Sequence, residues 1–337
     1  MAGKLPEGWQ EALPVFSSGD GALATRIASG KVLNAIVGSL PTLVGGSADL
    51  ASSTNTLLKG YGDLGIDGWS GRNVRFGVRE HAMGGIVNGM ALHGGMIPFG
   101  ATFLVFSDYL RPAIRLAALM GVHSIFVFTH DSIGVGGDGP THQPIEHLPS
   151  LRAIPGLTVL RPADANETAA SWRLALERDG PSVLALTRQG VPVIDDAERV
   201  RAGVPRGAYV LADADSGQPD VVLLATGSEV ALILAARELL AGRGLQARVV
   251  SMPSWEVFEE QDEAYKEAVL PPSVPARLAV EAAVPMGWER YVGAQGAVIG
   301  IDRFGASASG ELLFEKFGFT PEAVAERAAG LVQREAK

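Results

Sequence analysis

Short apolar runs alternate with amphipathic stretches along most of the chain. Residues 43–45, 74–76, 97–99, 124–128, 158–160 and 183–186 are strand-like, while 80–92, 104–119 and 166–177 carry helical periodicity. An earlier helical stretch places Leu23, Ile27, Val32, Ile36, Val37 and Leu40 on one broad apolar face. The run 124–128 reads SIFVF, and uninterrupted apolar character over that length predicts a strand buried on both faces. Such βα alternation predicts a mostly parallel sheet covered by helices on both sides. A second alternating unit begins at Tyr209, with strands at 221–225, 247–250, 277–280 and near 297–300, and helices at 229–241, 309–317 and 321–332. Between the units, residues 190–207 are rich in Gly, Pro and Arg and weakly patterned, which predicts a linker. Residues 1–20 show no periodicity and are expected to be a connector. The expected architecture is α/β: two three-layer αβα domains with mostly parallel sheets, at 21–190 and 208–337, with linkers at 1–20 and 191–207.

Composition narrows the function classes. A chain of 337 residues accommodates two α/β domains of ordinary size. Its net charge of −9 argues against a general nucleic-acid binder, because a phosphate backbone selects clustered Lys and Arg. An anionic substrate therefore requires a local basic pocket. Cysteine is absent, which excludes disulfides and thiolate metal sites. No apolar run is long enough to span a bilayer and the N-terminus lacks a signal-peptide core, so a cytoplasmic location is expected and a membrane partner is not.

The densest chemistry follows the SIFVF run, in THDSIGVGGDGPTHQP (residues 129–144). Gly134, Gly136, Gly137 and Gly139 permit close approach of backbone to a ligand, and His130, Asp131, Asp138 and His142 exchange protons or hydrogen bonds. In an open α/β sheet, ligands bind beyond the carboxyl ends of the strands, where this loop is expected. The loop resembles the substrate loop of the transketolases, thiamine-diphosphate enzymes that move two-carbon ketol units between sugar phosphates. On that resemblance 21–190 is a pyrimidine-binding domain and 208–337 a transketolase C-terminal domain.

The resemblance extends to further motifs. GVRE (residues 77–80) puts Glu80 at a helix start, where an acidic residue is ordinarily an electrostatic first-turn group. In transketolase-like enzymes the matching glutamate hydrogen-bonds N1′ of the cofactor's aminopyrimidine, so the resemblance makes Glu80 catalytic. Phe103, Phe106 and Tyr109 read as a core stripe on spacing alone. They match the family's F-x-x-F-x-x-Y pocket for the pyrimidine ring, with Phe106 the expected stacker. In GGSADLASS (residues 45–53), the resemblance places Asp49 near the cofactor and Ser53 on substrate phosphate. Arg26 in ATR and Arg188 in TRQ match the family's phosphate-binding arginines; with Ser53 and His130 they would form a basic funnel. Asp138 would bond the hydroxyl next to the substrate carbonyl, while His130 and His142 would contact the reacting oxygens as catalytic groups. His81, His93, His123 and His147 are expected to be structural.

Other features read as decoys. His142, Glu146 and His147 fit neither zinc spacing, and Pro144 opposes a helix through His142, so no metal ligands are expected. Gly19-Asp20-Gly21 opens like a thiamine-diphosphate metal motif, but no strand precedes it and Asn34 comes too early and Asn55 rather late for the motif's asparagine, so it reads as a turn. ATGSEV (residues 225–230) reads as a structural strand–turn–helix with Thr226 and Ser228 as N-caps. The resemblance further implies thiamine diphosphate as cofactor, with Mg2+ (or Ca2+) on a preceding diphosphate-binding domain whose motif is not found here. A homodimer, sugar-phosphate substrates of pentose-phosphate metabolism and a diphosphate-binding domain or subunit are the expected partners. The chain is expected to be a truncation or a separate subunit, poorly active alone. Deoxyxylulose-phosphate synthase, dihydroxyacetone synthase, a 2-oxoacid dehydrogenase β subunit and a non-catalytic dimerisation module remain alternatives.

Overall fold

A computed structural model describes residues 5–335 apart from 66, 67 and 216. Thirteen strands are distributed over three sheets: β1 (Leu23–Ala24), β2 (Leu43–Ser47), β3 (Asn73–Arg75), β4 (Ile97–Phe103), β5 (Ile125–Thr129), β6 (Thr158–Leu160), β7 (Ser182–Leu186), β8 (Gly190–Val191), β9 (Tyr209–Ala212), β10 (Val221–Ala225), β11 (Ala247–Ser251), β12 (Arg277–Val280) and β13 (Ala297–Ile299). The first domain is a six-stranded sheet in the order β3-β2-β4-β5-β7-β6, parallel throughout. The second is a five-stranded sheet in the order β13-β12-β10-β11-β9, parallel except for β9 at its edge. β1 and β8 form a small antiparallel pair that ties the first helix to the chain leaving β7.

Burial on both faces explains the unbroken apolar strands. Ile125 and Val127 of β5 pack with Val32, Leu33, Ile36 and Trp172, from the helices Thr25–Ile36 and Ala165–Glu177. Phe126 and Phe128 point the other way, onto Met83, Val87, Leu110 and Ile114 of the helices Glu80–His93 and Ser107–Met120. The first of these cores continues without a break into the second domain, through Tyr209, Val221, Leu223 and Val280. The two domains therefore share apolar interior, not only a connecting segment.

β2 carries two adjacent glycines for a steric reason. A Cβ on Gly46 would stand 1.9 Å from the Val74 carbonyl oxygen, and one on Gly45 would stand 2.3 Å from that of Phe99. Backbone of the neighbouring strands thus occupies the side-chain space. Gly46→Ala is expected to lower the unfolding free energy by roughly 3 kcal/mol or more, because backbone cannot move aside as a side chain does. Urea denaturation tests this, and a loss below about 0.5 kcal/mol would show that the strands separate freely.

Three details go beyond the sequence pattern. The connector before residue 21 packs where described: Trp9, in the 3-10 turn Trp9–Ala12, is 2% exposed, and Phe16 is buried in the same core. Phe16 exchanges two hydrogen bonds with the Asn166 side chain, at 3.0 and 2.9 Å. Two isolated aromatics filling a gap leave no periodic trace, so sequence pattern missed them. Residues 191–207 contain a helix, Ala197–Gly203, whose first turn is capped by Asp196, and they bury Val200 and Val204. A short capped helix surrounded by Gly and Pro has too few turns to show amphipathicity. Finally, the helical stretch expected at 104–119 starts later: Phe103 ends β4, and a 3-10 turn, Leu104–Phe106, intervenes before the helix starts at Ser107.

Among the described residues no helix is long and apolar enough to cross a membrane.

Candidate active site

Five adjacent strand ends deliver the predicted residues to one edge of the first sheet. Past β2 lie Asp49 and Ser53; past β3 lies Glu80; β4 ends on Phe103, with Phe106 and Tyr109 following; past β5 come His130, Asp138 and His142; past β7 comes Arg188. Parallel pairing in register puts all these carboxyl ends on the same side, and Arg26 joins them from the first turn of its helix. Residues 162 positions apart in sequence become neighbours this way: Thr25 and Thr187, beside Arg26 and Arg188, exchange hydrogen bonds at 2.9 and 2.7 Å.

An aromatic stack forms the centre of the site. The rings of Phe103 and His130 stack at 3.7 Å, and those of Phe103 and Phe106 lie nearly parallel at 5.7 Å. The His142 ring meets Phe106 edge-on at 5.7 Å, and Tyr109, 64% exposed, continues the series. His130 sits at φ 63°, a left-handed conformation uncommon for a side-chain-bearing residue, and Asp49 at φ 61° is another. His130 and His142 each have Nδ1 engaged by the preceding threonine hydroxyl, Thr129 at 2.8 Å and Thr141 at 2.9 Å. That leaves each Nε2 for a ligand.

Burial, with the cations of Arg26 and Arg188 and the nearby His142, pushes the His130 imidazole down to about 3. A neutral ring in a positive surround offers a hydrogen bond without adding charge. Burial lowers Arg26 too, with Arg188 adding repulsion. Two guanidinium groups this close together favour an anion between them. Arg26 also donates to the Ser53 carbonyl, which ties the turn after β2 to the basic cluster. Glu80 is buried at the first turn of its helix, and Asp138 is exposed on the loop. No hydrogen bond or ring contact among the described residues joins either to the stack.

The loop is held from behind by residues that motif reading did not identify. Asp131, next to His130, accepts from Arg161 Nε at 2.8 Å, and both side chains are fully buried. Arg161 also donates to the Thr226 hydroxyl at 2.9 Å and to Glu229, both in the second domain. Glu281 takes a two-pronged bond from Arg152 at 2.7 and 2.8 Å and further bonds from Thr226 and Trp288. Burial alone would raise the Glu281 carboxyl, but Arg152 and Arg161 hold it down at about 2. ATGSEV is thus structural, as its sequence implied. Its Ser228 is not a side-chain cap, however, and donates instead to the Glu229 carboxylate at 2.6 Å. One signal for Arg161 was present: it directly follows the buried strand β6, much as Arg188 follows β7 one residue further on.

The rejected zinc pattern also has a defined structure. His142 lies in the aromatic stack, while Glu146 and His147 gather with Asp108. Asp108 lies 3.2 Å from Nε2 of His147 and Glu146 lies 3.9 Å from Nδ1. One potential ligand atom from each of Asp108, Glu146 and His147 lies within 4.8 Å of the others, a grouping that the H-E-x-x-H and H-x-x-E-H spacings do not describe. Asp20 closes the Gly19–Gly21 turn by accepting from the Ser17 N–H at 2.8 Å.

A parallel sheet whose strand ends gather stacked aromatic rings, a buried helix-start glutamate and paired arginines is the architecture expected of a pyrimidine-binding domain of the thiamine-diphosphate enzymes. Comparison with known proteins agrees: residues 21–193 match the family described as "Transketolase, pyrimidine binding domain" and residues 207–320 the "Transketolase-like TK C-terminal domain". The chain belongs to the transketolase family. It is 60% identical over 334 residues to a transketolase of Geobacillus stearothermophilus, covering 98% of this chain and 50% of that relative. A transketolase structure from Pichia stipitis in complex with sedoheptulose 7-phosphate superposes with a TM-score of 0.93 at 45% identity, covering 99% of this chain and 49% of that one. The chain thus spans about half the length of the curated relatives it matches. A second similar structure, described as "Split gene transketolase, inactive beta4 tetramer", is 26% identical with a TM-score of 0.76, and 99% of its chain is covered.

Proposed function

We propose that this chain supplies the pyrimidine-side part of a transketolase site, which transfers a two-carbon ketol unit from a ketose phosphate to an aldose phosphate. The observation that carries the reading is the grouping of His130 with Arg26 and Arg188 beside the Phe103–Phe106 stack. Flat stacked rings, a buried carboxyl and adjacent cations suit a heteroaromatic cofactor next to a phosphorylated sugar. Thiamine diphosphate fits the residues present: Phe106, with Phe103 and Tyr109, would hold the aminopyrimidine, Glu80 would bond its ring nitrogen, and Asp49 would lie near it. When bound, the cofactor supplies the stabilisation of negative charge on the transferred carbons.

The chain's own groups bind and orient. Arg26, Arg188 and Ser53 take the sugar phosphate, whose charge offsets the repulsion between the two arginines. Asp138 accepts from the hydroxyl next to the carbonyl. The Nε2 atoms of His130 and His142 donate to or accept from the substrate oxygens, and a neutral His130 at physiological pH can do either according to tautomer. The diphosphate and its divalent cation, Mg2+ or Ca2+, would be held by a diphosphate-binding domain, on the same or another polypeptide, in a dimer.

Ketol transfer from xylulose 5-phosphate to ribose 5-phosphate is the test, with thiamine diphosphate, Mg2+ and a separately expressed transketolase diphosphate-binding domain. Transfer in the mixture, with pyruvate ineffective as donor, is the expected result. Use of pyruvate in place of the ketose phosphate would overturn the assignment in favour of another thiamine-diphosphate enzyme.

A further inference from the structure

The substrate loop does not stand on its own domain. From Gly134 to Gln143 it lies against residues 304–310 of the second domain, and three close approaches make that contact possible. A Cβ on Gly139 would stand 2.3 Å from the Ser307 hydroxyl oxygen; one on Gly310 would stand 3.1 Å from the Gly134 carbonyl oxygen. One on Gly305 would stand 1.7 Å from the Gln143 carboxamide oxygen. Gln143 is 2% exposed, and its carboxamide joins the two pieces. Nε2 donates to the Gly136 carbonyl at 2.9 Å and to the Ala306 carbonyl at 3.0 Å, while Oε1 accepts from the Ala306 N–H at 3.1 Å. A single side chain therefore closes the loop on itself and fastens it to the other domain.

We propose that the second domain is a working part of the site, with Gln143 the positioning residue that fixes the loop carrying Asp138 and His142. The Asp131–Arg161 bond to Thr226 and Glu229 anchors the other end of the same loop, behind His130. Both ends are thus fastened to the second domain, and the span between them needs that anchoring because its glycines impose little shape of their own. The loop's substrate role rests on the transketolase reading; its dependence on Gln143 does not.

The decisive experiment is amide hydrogen exchange of the intact chain, wild type against Gln143→Met, which keeps the volume and removes all three bonds. Exchange within 134–143 is expected to rise by roughly tenfold or more, with β4 and β10 unchanged. Gly305→Ala, made in the other domain, is expected to loosen the same loop, and it serves as the readout if Gln143→Met does not fold. Exchange in 134–143 equal to wild type in a folded variant would overturn the proposal. In the reconstituted transfer assay, the KM for ketose phosphate is expected to rise about tenfold while thiamine-diphosphate affinity stays constant. A looser loop with unchanged KM would also refute the positioning role. An inactive wild-type mixture would count against the transketolase reading, leaving the exchange result to decide the loop's attachment.

Discussion

Arg161→Met is expected to destabilise the chain by roughly 3–5 kcal/mol at neutral pH, since it strands carboxylates in the interior. Arg161 lies between Asp131 and Glu229 with Glu281 close by, and all four side chains are at most 1% exposed. Burial opposes the guanidinium charge, but Glu229, Asp131 and Glu281 outweigh it and raise the arginine above its ordinary value. Burial also raises Glu229, with Arg161 as the main opposing influence. Remove the arginine and the folded-state carboxyl of Glu229, already raised by burial, rises further above its unfolded value. The folded variant then binds more protons than the unfolded one across the window between those values. Stability falls as pH rises through it, so the deficit should be largest near pH 7 and shrink towards pH 4. Urea denaturation of both proteins at several pH values measures this. A deficit independent of pH would mean that lost packing, not uncompensated charge, dominates.

Glu80→Gln is expected to reduce ketol transfer in the reconstituted enzyme by roughly 10²-fold or more, while changing stability by less than about 1 kcal/mol. The substitution preserves size and removes the acidic proton, and Glu80 stands at a helix start where either side chain is sterically accommodated. A positioned acid contributes to the barrier, whereas a residue that only favours the helix dipole contributes a fraction of a kcal/mol. Thiamine-diphosphate binding, measured by calorimetry, should persist in the variant. Transfer within threefold of wild type would return Glu80 to the role of an ordinary first-turn carboxylate.

Periodicity was enough to place the helices at 80 and 229 and the strands β6, β10 and β12, because burial on one or both faces writes itself into consecutive residues. The loop at 129–144, the helix-start glutamate and the two arginines after local motifs were legible for the same reason: each is a short string whose chemistry and spacing are carried along the chain. Trp9, the helix at 197 and the strand character of Phe103 were not legible, since each depends on a partner distant in sequence. What the sequence by itself determined, then, was the α/β class, the order of the two units and the set of chemically equipped side chains. Only the tertiary structure decided that five strand ends converge, that Arg26 and Arg188 flank one neutral histidine, and that Gln143 and Arg161 couple the 129–144 loop to the second domain. Those features depend on packing between residues 65 to 163 positions apart, where low dielectric and close contact act through space and leave no period in the chain.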